Sequence, residues 1–104
     1  MIDWSRVNEL KEDFGEEGFA ELLPVFVAEI EEALSQLSEA NSAEEVASTC
    51  HFIKGSAANL GLQQLAELCA TAETDAKSGQ VAGDLAAQLS EAFQASQTAL
   101  READ

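Results

Sequence analysis

From Phe19 to Leu37 the apolar residues fall at Phe19, Leu22, Leu23, Phe26, Val27, Ile30, Leu34 and Leu37, with Glu29, Glu31 and Glu32 between them. Steps of three and four, sustained this long, commit the segment to an amphipathic α-helix. Such a stripe must be buried against other helices, and the rest of the chain supplies them. Ser42 followed by Glu45 has the form of a capping box. The helix it opens carries Val46, Ile53, Ala57 and Leu60, with Thr49 and Ser56 beside them, and Gly61 ends or bends it. Leu62, Leu65, Leu68, Cys69, Ala72 and Ala76 form the next run, stopped near Ser78-Gly79. Gln80 to Gly83 reads as a loop. Asp84 is a candidate cap for a last helix with Leu85, Leu89, Ala92, Phe93, Ser96 and Leu100.

Ahead of the long run, Asp3 or Ser5 can cap a short helix bearing Trp4, Val7, Leu10, Lys11 and Phe14, with Gly15 as its stop. Trp4 and Phe14 read as a lid over the open end of a bundle. Pro24 requires the regular helix either to begin just before it or to kink there. No strand-like alternation and no internal repeat occurs, and the connections are short. The expected fold is all-α: an antiparallel up-down four-helix bundle with a short N-terminal cap helix, one domain over residues 1–104.

The formal charge of −15 excludes classes of partner. Nucleic-acid backbone and anionic membrane surfaces would be repelled. No basic segment precedes an apolar one as in a secretory signal, and no apolar run approaches the ~18 residues of a membrane span. The two cysteines, Cys50 and Cys69, are too few for a disulfide scaffold. A cytoplasmic location with buried, reduced thiols is expected.

The stretch His51-Phe52-Ile53-Lys54-Gly55-Ser56-Ala57-Ala58-Asn59-Leu60-Gly61 breaks a local rule. It holds the only histidine and puts a glycine inside a helix, at a cost of roughly 0.5–1 kcal/mol relative to alanine. At about 100° per residue, Ile53, Val46, Leu60 and Ala57 centre opposite His51, while Ala47, Lys54, Gly55 and Ala58 fall within about 60° of it. The imidazole is therefore expected on the solvent side, on a platform of small residues that a second macromolecule can approach. Lys54, one turn away, places a cation where a phosphoryl group on the imidazole would need one.

A nucleophilic histidine also needs an orienting acceptor, so that one ring nitrogen holds the proton while the other attacks. If the chain reverses at Gly61-Leu62, His51 lies level with residues 72–73. Glu73 flanks the buried stripe of its helix and can accept a hydrogen bond from the ring.

These residues resemble a known family. His51-x-x-Lys54-Gly55-Ser56-x-x-x-Leu60-Gly61, with Leu68-Cys69-x-x-Ala72-Glu73 on the next helix, is similar to the signature of histidine-containing phosphotransfer (HPt) domains. The resemblance covers nearly the whole chain. It implies that His51 accepts phosphate through Nε2, that Lys54 meets the phosphoryl group, that Gly55 leaves room for the partner, and that Glu73 holds the imidazole. It also implies response-regulator receiver domains as partners, supplying the aspartate and Mg²⁺, and a hybrid histidine kinase upstream. The departures are Ala57, where a second serine is common, and Pro24. Beginning at methionine without appended domains, the chain is expected to be a free-standing, monomeric carrier in two-component signal transduction, not an enzyme. With no glycine-rich phosphate loop it is not expected to bind ATP, and no cofactor or metal is expected.

Four other readings compete. A metal site on Cys50, His51 and Cys69 is disfavoured because adjacent helical residues diverge by about 100°, and Ser48 replaces the glutamate of a Glu-x-x-His pair. A carrier using Ser56 is disfavoured because Ser56 projects about 140° from His51. A disulfide between Cys50 and Cys69 is possible in principle. The last is a helical interaction module that binds signalling proteins without being phosphorylated. Beyond the rim formed by Ala47, Lys54, Gly55 and Ala58, the exposed side of the second helix near Phe19 and Leu23 is the expected further docking surface.

Overall fold

The computed structural model describes residues 2–102. Four helices follow in order: α1 (Trp4–Ser38), α2 (Ala43–Leu60), α3 (Gln63–Lys77) and α4 (Leu85–Glu102). Each packs on its neighbours in a closed ring: α1 on α2, α2 on α3, α3 on α4 and α4 on α1. This is the all-α up-down bundle expected from the periodicity, drawn out to 42 × 21 × 20 Å.

The cap helix and the first long helix form one element with a break. Gly15 (φ 75°, ψ 164°) is the non-helical residue inside α1, at a positive φ that only glycine adopts cheaply. The arm before it, residues 4–14, starts at Asp3, whose carboxylate accepts from the Arg6 backbone N–H. Helical geometry then continues through Pro24. Neither expectation for Pro24 holds, since the helix begins at residue 16 and its backbone departs from helical values only at Gly15. Pro24 and Ala20 both lie on the exposed face. The Ala20 carbonyl that loses its N–H partner can therefore be satisfied by water.

Ser42 Oγ accepts from the Glu45 N–H at 3.1 Å. The returning arm of the capping box reaches one residue further than the motif prescribes, Glu45 Oε2 accepting from the Asn41 N–H. α2 ends in a left-handed Gly61, with the Leu62 N–H donating to the Ala57 carbonyl at 2.8 Å, the bond pattern of a Schellman cap. The N-terminal arm docks on this corner. The Asp3 N–H donates to the Gly61 carbonyl, and Arg6 donates through Nε to the Asn59 carbonyl at 2.8 Å and through Nη2 to Asn59 Oδ1 at 2.7 Å. A Cβ at residue 61 would stand 2.9 Å from the Asp3 carbonyl oxygen, so space as well as φ requires glycine.

Ile30, Ile53, Leu60, Leu62, Leu65 and Leu89 are the largest fully buried side chains, with Cys50 and Cys69 among them. Three expectations fail at the edges of this core. Leu68 is exposed, because it lies beside the buried Leu65/Cys69/Ala72 stripe of α3 and not within it. Trp4 and Phe14 are exposed too, and the buried contacts of the arm are made by Val7 and Leu10. Asp84 does not cap α4 with its side chain. Its carbonyl accepts from the Gln88 N–H, and its carboxylate accepts from the Gln88 side-chain amide.

Candidate functional site

The exposed face of α2 carries the imidazole. Ile53, Ala57 and Leu60 are fully buried, which turns His51 outward with its side chain 68% exposed. Gly55 and Ala58 are exposed beside it. A Cβ added at Gly55 would meet nothing within 4 Å. The protein's own packing therefore does not require this glycine.

Across the tight Gly61-Leu62 corner, α3 brings Glu73 level with His51. The Glu73 side chain is only 8% exposed and receives three donors. Its Oε2 lies 3.1 Å from His51 Nδ1 and 3.1 Å from Lys77 Nζ. Its Oε1 accepts from Lys54 Nζ at 2.8 Å. These donors, Lys54 foremost, then Lys77, then His51, outweigh the opposing effect of burial and hold the carboxyl at about 2, below its ordinary 4.5. In a neutral ring, an ionised carboxylate at Nδ1 favours the tautomer with its proton on that nitrogen. In that tautomer Nε2 carries the lone pair.

Below the site, Cys50 and Cys69 are free and fully buried. Burial, with Glu73 adding to it, pushes the Cys50 thiol up to about 11. Burial, then Cys50 and Glu73, push Cys69 up to about 12, against a smaller opposing effect of Lys54. Thiols held neutral in this way act as packing groups and not as nucleophiles.

Two grooves flank the imidazole. One is lined by Ala43, Ala47, Ser48, Glu73, Ala76 and Lys77. The other is lined by Arg6, Phe26, Phe52, Gly55, Ala58 and Asn59. Ala47 is not the exposed rim residue its helical angle implies. It is 8% exposed, because α3 leans over this side of α2 and a methyl group is too short to reach past it. Phe19 is not a docking residue of the second helix either. It is buried, with Lys11 Nζ 5.5 Å from its ring centroid. On that helix the half-buried Phe26 is the residue that lines a groove beside His51.

Sequence reasoning missed Lys77, Phe52 and Arg6. Lys77 had a signal, since it stands four residues after Glu73, where a cation and a carboxylate meet on a helix face. Phe52 had none. It lies between the outward and inward faces, and nothing local marks it as 47% exposed.

Comparison with known proteins identifies the family. The Hpt domain family model matches residues 19–99, so the chain belongs to the Hpt domain family. The phosphorelay intermediate protein YPD1 of Candida albicans (strain SC5314 / ATCC MYA-2876) is similar at 36% identity over a 74-residue alignment, and the match covers 66% of this chain. The chain spans 40% of that relative's length. No solved structure matches.

Proposed function

We propose that this protein is a phosphoryl carrier of a two-component phosphorelay, with His51 as the acceptor. The observation that carries the reading is an exposed imidazole whose Nδ1 faces a buried, ionised Glu73. In the transfer step, the Nε2 lone pair attacks the phosphorus of an aspartyl phosphate on a receiver domain. The N–P bond forms, the acyl O–P bond breaks, and the electron pair leaves with the aspartate as carboxylate. The Nδ1 proton stays in place, facing Glu73, so the ring carries its developing positive charge against a fixed counter-charge. Reversal passes the group to another receiver.

Lys54 supplies positive charge to the transferring group, and Gly55 with Ala58 lets the partner's surface close over the ring. Ala47 supports the imidazole from below. The aspartate and Mg²⁺ belong to the receiver, because positioning and charge neutralisation dominate phosphoryl transfer and the groups around His51 provide only part of both. ATP has no place in this scheme, and a hybrid histidine kinase acts upstream. The working form is a cytoplasmic monomer that uses neither nucleic acid nor membrane. Among the described residues no helix is long and apolar enough to cross a membrane.

The test is to mix the protein with a phosphorylated receiver domain. Label that is acid-labile and alkali-stable, and absent from His51→Gln, is the expected result. Equal labelling of His51→Gln overturns the assignment.

A further inference from the structure

The tether on His51 is shared, and the sharing has a consequence for catalysis. Glu73 Oε2 faces both His51 Nδ1 and Lys77 Nζ, while Lys54 takes Oε1. A phosphoryl group on Nε2 brings about two negative charges to the site, and Lys54 and Lys77 are the cations bonded to Glu73 beside it. If both lysines left for the phosphoryl group, Glu73 would remain as a nearly buried carboxylate with His51 as its single partner, which is unfavourable. If neither left, the phosphoryl group would go without direct charge compensation.

The two lysines are not equivalent. Lys54 lies on the same helix as His51, one turn along, and bonds the carboxylate oxygen that the imidazole does not use. Its side chain is 35% exposed. Lys77 stands four residues from Glu73 on α3 and bonds the oxygen that the imidazole does use. Being in the last turn of α3, its ammonium is also favoured there by the helix dipole.

Resting on the carrier reading above, we propose that Lys77 is a positioning residue. It keeps Glu73 ionised and aimed at His51 Nδ1 while Lys54 moves from Glu73 to the phosphoryl group. Lys54 is thus the mobile cation of the site and Lys77 the stationary one. Lys77 acts through Glu73 and does not touch the transferring group.

The test combines a double-mutant cycle with a spectroscopic readout. Lys77→Met retains the apolar stem and removes the charge at a largely exposed side chain. It is expected to slow phosphoryl uptake by about tenfold, within the range that misplacing a reacting group produces, and Lys77→Arg is expected to restore the rate. In the Glu73→Gln background, Lys77→Met should cause no further loss, because the pair acts as one unit. Imidazole ¹⁵N spectra of the unphosphorylated protein should show Nδ1–H as the dominant neutral tautomer in wild type and in Lys77→Arg, with a smaller share in Lys77→Met.

A Lys77→Met loss of the same size with and without Glu73 overturns the proposal in favour of direct contact with the phosphoryl group. An unchanged rate and tautomer ratio in Lys77→Met overturn it in favour of a helix-end charge alone. If wild type takes up no phosphate but the tautomer shift on Lys77→Met appears, the carrier reading fails while the Lys77–Glu73 tether stands. If neither appears, both fail.

Discussion

Along the seam between α2 and α3, Cys50, Ile53, Ala57, Leu60, Leu62, Leu65 and Cys69 are all fully buried. Along the seam between α1 and α4, Leu23 and Val27 are only half-buried. There a cavity of about 140 Å³ opens between Trp4, Phe19, Leu23, Val27 and Leu100. The α2–α3 seam is closely packed throughout, and the α1–α4 seam is loose around this cavity, while Ile30, Leu89 and Phe93 of the same two helices are buried. The tight half holds the imidazole and its tether. A reacting group has to be held to within a fraction of an ångström, and two helices joined by a two-residue corner with small side chains between them hold it that closely. The loose half sets no reacting atom and tolerates imperfect packing.

The contrast can be broken first by truncation. Leu65→Ala in the tight seam should cost about 3–5 kcal/mol of stability, and Leu23→Ala in the loose one about 1 kcal/mol, measured by denaturant unfolding. Equal losses would dissolve the distinction.

The two glycines of the His51 stretch give a second test, with opposite signs. Gly61→Ala meets both a positive φ and the Asp3 carbonyl oxygen and should destabilise by more than about 1 kcal/mol. Gly55→Ala faces open space and should stabilise by about 0.5–1 kcal/mol. Gly55→Leu should leave the fold intact, and on the proposed reading it blocks phosphotransfer by filling space the partner needs. Transfer at the wild-type rate by Gly55→Leu would show that the platform is not a docking surface.

Titration sharpens the contrast further, with smaller effects. The carboxyl of Glu73 is held at about 2, below its ordinary 4.5. Its contribution to stability is therefore present above about pH 4.5 and is lost as the pH falls through about 2. Glu73→Gln should flatten the stability profile across that window. The Cys50 and Cys69 thiols are raised from 9.0 to about 11 and about 12. Their contribution is full below about pH 9 and is lost as the pH rises through 11 to 12. Replacing both by alanine should remove that alkaline decline. Profiles parallel to wild type would contradict the tether and the burial respectively.

Most of the fold was legible because helical periodicity and corner chemistry are local. The stripe from Phe19 to Leu37, the Ser42 cap and the left-handed Gly61 each carry their own physical cause. Pro24 was misjudged because its cost depends on which face it occupies, and the exposed face makes that cost small. Of the site, His51, Gly55 and Glu73 were legible from helical angles and one reversal of the chain. Ala47 was not, since an angle gives the direction of a side chain but not how closely the neighbouring helix leans over it. The third donor at Glu73 was overlooked, although the spacing of four residues between Glu73 and Lys77 was in plain sight. The groove with Phe26 and Phe52 depends on where α1 crosses α2, which no local pattern fixes.

The central claim is that Glu73 holds the proton on Nδ1 so that phosphate is carried on Nε2. Two-dimensional ¹H–¹⁵N and ³¹P NMR of the phosphorylated protein reads this directly, by showing which ring nitrogen couples to phosphorus. Coupling at Nε2 of His51, with Nδ1 still protonated, is the result predicted. Coupling at Nδ1, or phosphorus attached to any other residue, would contradict it.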